Sequence, residues 1–212
     1  VINLIPRFYD ASEGQVLVDG IDVRKYPQKE LRNKIGYVSQ KATLFTGTIR
    51  SNVAYGDNGH PSASQEDVKN AIATAQATDF VENLGDQYDA YVAQGGSNFS
   101  GGQKQRISIA RAIARHPEIL IFDDSFSALD YKTDLTLRKE LSKQTADATV
   151  IIVAQRISTI LHADNILVLD EGKIVGSGTH EELLASCETY QEIAKSQLSE
   201  AELAGVEKGG RA

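Results

Sequence analysis

The sequence has 212 residues, 41% hydrophobic and 24% charged, the proportions of a soluble globular chain long enough for one sizeable domain or a core with an inserted lobe. No run approaches the roughly 18–20 apolar residues of a membrane span, and a net charge of -7 with a pI near 5.1 gives no global electrostatic reason to bind nucleic acid. A single cysteine, Cys187, excludes an internal disulfide and a cysteine metal cluster and fits a reducing compartment.

The chain opens on "VINLIPRFYD" and contains no methionine, so it reads as a fragment whose start carries no legible targeting signal. "GQVLVDG" and "KIGYVSQ" are short strand patterns bounded by glycine, and "QKELRNK" between them suits a helical turn. Tyr37 and Phe45 read as core or lobe-junction aromatics. The stretch Tyr55–Ser64, "YGDNGHPSAS", is rich in turn formers and marks a lobe boundary. Ser64 with Asp67 then predicts a capping box, after which Val68, Ile72 and Ala75 share one helical face. The helical pattern continues through "DFVENL", meets the glycine-rich "AQGGSNFSGGQ" and ends in "KQRISIARAIARH", closed by Pro117.

From Glu118 the pattern returns to strands: "EILIFDD", "TVIIVAQ" and "NILVLDEGKIVGSG", the last a hairpin turning on Glu171 and Gly172. Thr149–Ala154 is apolar and β-branched with no charge, the pattern of a parallel strand buried on both faces. Asp130 reads as the cap of a helix over "YKTDLTLRKEL". Cys187 reads as a helix residue, the tail from Ser199 to Ala212 as a frayed helix end. The four histidines, His60, His116, His162 and His180, are scattered in turn or helix-end contexts, favouring a solvated loop or helix-end role for each and no metal pair.

Three places carry chemistry. Ser100, Gly101 and Gly102 open a helix, where glycine lets a ligand approach the backbone and free N–H groups attract an anion such as phosphate; on spacing alone this is only a helix N-cap. Asp123 and Asp124 end an apolar strand, and two adjacent carboxylates at the carboxyl edge of a parallel sheet suit a hard cation such as Mg²⁺. Gln155 directly follows another strand at that kind of edge, which raises the question of why the residue is a glutamine.

"SNFSGGQKQR" followed by "ILIFDDSFSALD" resembles the signature and Walker B–D-loop segments of the nucleotide-binding domain of ATP-binding cassette transporters. "GYVSQKATLFTGTIRSNVAYG" resembles the Q-loop region, "IIVAQRIST" the switch-loop strand, and "VLDEGKIVGSGTHEELL" the closing hairpin and helix. "LFTGTIRSNVAYG" and "SGTHEELL" are similar to the exporter branch, whose membrane helices precede this domain. The resemblance implies an α/β fold, a P-loop NTPase (RecA-like) core with a small inserted α-helical signature lobe. It would comprise a first core part over 1–57, the helical lobe over 58–116, the remaining core over 117–195 and a tail over 196–212.

The resemblance also implies ATP and Mg²⁺ as cofactors. Asp123 and Gln40 would serve the metal, Asp124 and Gln155 the chemistry at the γ-phosphate, and Gln40, Ser100, Gly101, Gly102, Gln103 and Asp130 the nucleotide and the dimer junction. Two such domains would pair head to tail, so that the signature completes the partner's site, on the cytoplasmic face of the plasma membrane and below a transmembrane domain upstream in the same chain. The transported substrate is not legible.

The sequence departs from the pattern in three ways. No G-x-x-x-x-G-K-[ST] occurs: Gly96 and Gly101 have the glycine spacing, but Gly102 and Gln103 stand where Lys and Ser or Thr are needed. The absence reads as truncation rather than loss, since the family places this motif just before a segment like "VINLIPRFYD", and the fragment alone is then expected to bind ATP poorly and to be inactive. Asp124 stands where the family has a glutamate that polarises the attacking water, on a shorter arm, which predicts slow hydrolysis. Gln155 stands where the family has a histidine at the γ-phosphate; it can donate a hydrogen bond but cannot carry charge near neutral pH. Both departures beside an intact "SGGQ" predict the degenerate site of a heterodimeric exporter. A homodimer with two weak sites, or a regulatory ATP-binding module with little turnover, are the alternatives. Soluble relatives in chromosome maintenance or translation fit less well, because the link from Gln40 to Ser100 is short and the chain is acidic.

Overall fold

The computed structural model of the chain describes residues 1–56 and 62–198. His60, the middle of the Tyr55–Ser64 stretch and the tail from Ser199 lie outside the described residues. The chain divides into two compact units, with the division between Val153 and Ala154.

In the first unit, β1 (Leu17–Val18) and β2 (Ile21–Asp22) form an antiparallel pair. The strand expected in "GQVLVDG" forms as β1 and ends where its bounding glycine stands: Asp19 and Gly20, at φ 50 and 75, make the left-handed two-residue turn whose twist suits a tight hairpin to β2. Next come α1 (Gln28–Asn33), β3 (Ile35–Val38), β4 (Gly47–Thr48) and α2 (Ile49–Val53). The helices α3 (Gln65–Thr74) and α4 (Thr78–Glu82) follow, then β5 (Tyr91–Val92), which pairs antiparallel with β4. The Ser64–Asp67 capping box forms at the start of α3. The unit is completed by α5 (Gly101–Ile113), β6 (Ile119–Asp123), α6 (Tyr131–Gln144) and β7 (Thr149–Val153).

The strands β3, β6 and β7 form a parallel sheet in that order. In the central strand β6, alternation sends Leu120 and Phe122 into a core with Val38, Ile107 and Leu137, while Ile121 joins Val18, Leu31 and Ile35 on the other face. Gly36 in β3 leaves room for this packing, since a Cβ there would meet Leu120 Cδ2 and Pro117 Cγ at 2.9 Å. The expectation that Thr149–Ala154 is buried on both faces is corrected: Thr149 and Val153 are exposed and the residues between them only half-buried. Among the described residues the strand pairs with β6 alone, at the end of the sheet.

The second unit contains α7 (Ile157–Ile160), the antiparallel hairpin of β8 (Ile166–Asp170) and β9 (Lys173–Gly178), α8 (His180–Ser186) and α9 (Glu188–Gln197). The hairpin turns on Glu171 and Gly172, at φ 45 and 77, again the left-handed pair that closes a two-residue loop. Ile157, Ile166, Val168, Leu183, Tyr190 and Ala194 make a core of this unit's own. Cys187 is not inside a helix, as expected, but in the extended junction between α8 and α9, where it is buried. The tight turn between two helices needs a residue with non-helical φ and ψ there.

His180 stands at a helix end as expected, but not in solvent. It is buried, its Nδ1 lies 2.7 Å from the Tyr190 hydroxyl, and its Nε2 has no hydrogen-bond partner among the described residues. Burial holds its pKa below the ordinary value. The unfolded chain therefore binds this proton more readily than the native one, so the stability contributed by a neutral His180 is complete above the unfolded pKa of about 6.5 and declines as the pH falls below it. The complete protein is expected to lose more melting temperature between about pH 7.5 and pH 5.5 than its His180→Gln variant; equal losses would show that this group does not set the acid limit.

Candidate functional site

The site is assembled at the carboxyl ends of β3 and β6, adjacent parallel strands in register from Ile35 opposite Ile119 to Val38 opposite Phe122. Parallel pairing forces both chains to leave the sheet at one edge, so Gln40 emerges beside Asp123 and Asp124 although it lies 84 residues away from Asp124 in sequence. The Gln40 side-chain amide donates to Asp124 Oδ2 at 3.0 Å. Asp124 is buried and has φ 46, the left-handed region that aspartate tolerates better than most residues, and its N–H donates to the Val153 carbonyl at 3.0 Å. Ser125 ties the same turn to β3, its hydroxyl donating to the Val38 carbonyl at 2.9 Å.

Sequence reasoning missed Tyr37. Its hydroxyl lies 3.0 Å from Asp123 Oδ2 and 3.0 Å from Asn3 Oδ1, and its ring packs edge-on against Phe8. Burial, with the Asp123 carboxylate second, pushes the phenol up to about 12, so it acts as a neutral donor. The sequence signal was faint: a tyrosine inside a strand pattern usually belongs to a core, and only the register of β3 on β6 shows that it faces the carboxylate.

Ser100 caps α5, its hydroxyl accepting from the Gln103 N–H while the Gln103 side chain accepts from the Ser100 N–H. Ser100 and Gln103 thus bond to each other and form a helix N-terminus rather than part of the carboxylate cluster. A Cβ on Gly102 would lie 3.4 Å from the Ala128 carbonyl, close to the turn that leads to Asp130. Asp130 caps α6, accepting from the Thr133 N–H at 3.0 Å; the Thr133 side chain first, and this N–H second, keep its carboxyl below the usual range.

The helix α5 is also fastened to the segment after Gln40. Gln105 donates to the Ser39 carbonyl at 3.4 Å, and Arg111 donates to the Asn52 carbonyl, the Asn52 side chain and the Thr43 carbonyl at 2.9, 2.6 and 3.0 Å. Burial lowers the Arg111 pKa to about 10, and its guanidinium lies 4.9 Å from the centre of the Phe45 ring. Phe45 is half-exposed, which sets aside the core half of the core-or-lobe-junction expectation, because it stacks between Arg111 and Tyr55 at the surface.

Gln155 belongs to the second unit and is exposed. The turn that carries it is clamped by Gln197, whose side chain donates to the Gln155 carbonyl and accepts from the Ile157 N–H, both at 2.8 Å. Gln197 too was illegible in sequence, since it lies 42 residues away on α9.

Residues 1–127 match the family model described as ABC transporter, and these residues include β3, β6, Gln40, Asp123 and Asp124. The chain belongs to the ABC transporter family. It is 49% identical over 206 residues to an uncharacterized ABC transporter ATP-binding protein of Mycobacterium bovis, covering 97% of this chain and 35% of the relative. A Staphylococcus aureus protein whose name describes a multidrug export ATP-binding/permease protein is 45% identical over 193 residues, 91% of this chain and 33% of its own length. A solved structure of a bacterial Atm1-family ABC exporter with ATP bound superposes with a TM-score of 0.88 at 39% identity, over 94% of this chain and 35% of that one. The chain therefore spans about a third of the length of the relatives it matches, and its α/β architecture with a parallel sheet is that of the ABC nucleotide-binding domain.

ABC ATP-binding domains work on ATP with Mg²⁺, and the donor set can be tested against that ion. Among the described residues no three His, Cys, Asp or Glu side chains gather into a cage. Mg²⁺ does not need one, because it keeps several waters and takes one or two carboxylates together with substrate phosphates. Asp123 offers a carboxylate with one oxygen engaged by Tyr37, and Gln40, its NH₂ turned to Asp124, offers its amide oxygen. This sparse, all-oxygen pair fits Mg²⁺ and fits no soft metal.

Proposed function

We propose that the chain is the ATP-binding and ATP-hydrolysing portion of an exporter, carried on the cytoplasmic face of the plasma membrane by transmembrane helices of the complete protein. The observation that carries this reading is the Gln40–Asp124 hydrogen bond, which joins the second residue after β3 to the carboxylate pair at the end of β6, where an ABC domain handles the γ-phosphate. Asp123 and Gln40 would hold the metal, which shields phosphate charge and orients the γ-phosphate for in-line attack by water. Asp124 would accept a hydrogen bond from that water, and Gln155 would donate one to the phosphate without changing protonation state. Asp130 would lie at the dimer junction.

Ser100, Gly101, Gly102 and Gln103 would complete the site of a second cassette subunit, their helix N-terminus facing its ATP. The pair Asp124 and Gln155 supports a slow site opposite a working one, hence a heterodimer. Tagged full-length protein recovered from its native membrane is expected to bring down a different cassette subunit in equal amount, identified by mass spectrometry. Recovery of this chain alone, as dimers, would put Asp124 and Gln155 in both sites and replace the heterodimer by a weak homodimeric ATPase or a regulatory module. No helix among the described residues is long and apolar enough to cross a membrane, so the export step belongs to the complete protein.

A further inference from the structure

We propose that Tyr37 is a positioning residue for the cation site, its hydroxyl holding one oxygen of Asp123 so that the other is presented to the Mg²⁺ that accompanies ATP. The inference rests on the reading of Asp123 as a metal-holding residue. It goes beyond that reading by assigning the side chain that fixes the carboxylate's rotation.

Tyr37 sits on β3 opposite Ile121, two residues before Asp123 on β6, a diagonal that a long aromatic side chain can span on one face of a sheet. Its hydroxyl is 3.0 Å from Asp123 Oδ2 and 3.0 Å from Asn3 Oδ1. One hydroxyl proton cannot serve two oxygen acceptors. The conflict disappears when the Asn3 amide is turned so that its NH₂ donates to the Tyr37 oxygen, which leaves the tyrosine proton for Asp123; the two ends of an amide are assigned from such networks. The result is a directed chain, Asn3 to Tyr37 to Asp123, ending on a single carboxylate oxygen.

Such a chain matters because an aspartate at a strand end is free to turn about its last bond, and a carboxylate bound through one oxygen must present that oxygen repeatedly in one direction. Partners that orient a metal ligand in this way typically cost about 10- to 100-fold in metal affinity or activity when removed. The phenol is well suited: it stays neutral, and its ring is fixed by Phe8, whose centroid lies 5.4 Å away at 72°. Tyr37→Phe removes only the hydroxyl and keeps that packing.

The test uses the complete protein with its membrane domain. ATP affinity is measured without metal, in EDTA, and across a Mg²⁺ titration, with Mn²⁺ binding followed by electron paramagnetic resonance. Tyr37→Phe is expected to raise the Mg²⁺ and Mn²⁺ concentrations at half-saturation about 10-fold while leaving the metal-free ATP affinity unchanged. Asn3→Leu is expected to shift them in the same direction by less, since it removes the donor behind the tyrosine. Unchanged metal dependence in Tyr37→Phe overturns the proposal, as does an equal loss of ATP affinity with and without metal, which would mark a structural role. Wild-type protein whose ATP binding ignores Mg²⁺ altogether would instead defeat the reading of Asp123, and this proposal with it.

Discussion

Asp124→Glu in the complete protein is expected to raise steady-state ATP turnover by about 10- to 100-fold, because a catalytic group misplaced by about 1 Å can cost on the order of 100-fold in rate. The Asp124 carboxylate is held short of the open edge of the sheet by the Gln40 amide at 3.0 Å and by a buried, left-handed backbone. One added methylene carries the charge outward, toward the position of an attacking water, without altering the charge itself. The substitution has a structural cost: aspartate tolerates the conformation at φ 46, and glutamate there is less stable, by about 1 kcal/mol. Phosphate release should therefore rise while the melting temperature falls slightly, a combination that general stabilisation could not produce. Gln155→His should add a smaller gain with a new pH dependence near neutrality, since histidine titrates there and glutamine does not. If neither variant nor the pair raised turnover, the slow-site reading would lose its mechanical basis.

How much of this was legible beforehand depended on the distance over which each feature is decided. β6 and its two aspartates were readable because an apolar run and its polar ending are adjacent in sequence. The helix α5 was readable because its cap, Ser100 with Gln103, and its terminator, Pro117, are local chemistry. The first strand, β1, was readable up to its bounding Gly20, but its partner β2 is only two residues long, too short for a pattern to show, and the paired left-handed conformations of Asp19 and Gly20 reveal the hairpin. The Tyr37–Asp123 contact spans 86 residues and depends on strand register, on which local pattern is silent. His180 stands at a helix end as expected but is not solvated, since Tyr190, its partner, comes from the following helix and the core around that tyrosine draws on α7, β8, α8 and α9. ATP, the metal and the partner domain came from resemblance to a family, not from spacing.

Asn52→Ala is expected to destabilise the first unit by about 3–4 kcal/mol, because it leaves several buried polar groups without partners at once. Asn52 is buried on α2, and its amide donates to the Phe45 and Thr48 carbonyls at 2.8 and 2.9 Å. Its side-chain oxygen accepts from the Phe45 N–H at 2.8 Å and from Arg111 at 2.6 Å. Alanine leaves the part-buried Phe45 N–H and one arm of a half-buried guanidinium unpaired, and opens a polar gap under the loop between Gln40 and α2. For a chain of this size the loss corresponds to about 10 °C in melting temperature, measurable by calorimetry. Asn52→Asp separates the contributions: it keeps an acceptor for Arg111 but replaces the donor to the two carbonyls with a repelling oxygen, so it should recover only part of the loss. A shift below about 1 °C in Asn52→Ala would mean that water replaces the side chain at little cost. The larger shift has a functional corollary. The loop fastened by Asn52 and Arg111 runs on from Gln40, and Gln105 on the same helix as Arg111 holds the Ser39 carbonyl. Loosening Asn52 should therefore weaken the Gln40–Asp124 contact without touching either residue, and turnover should fall by more than the unfolded fraction explains.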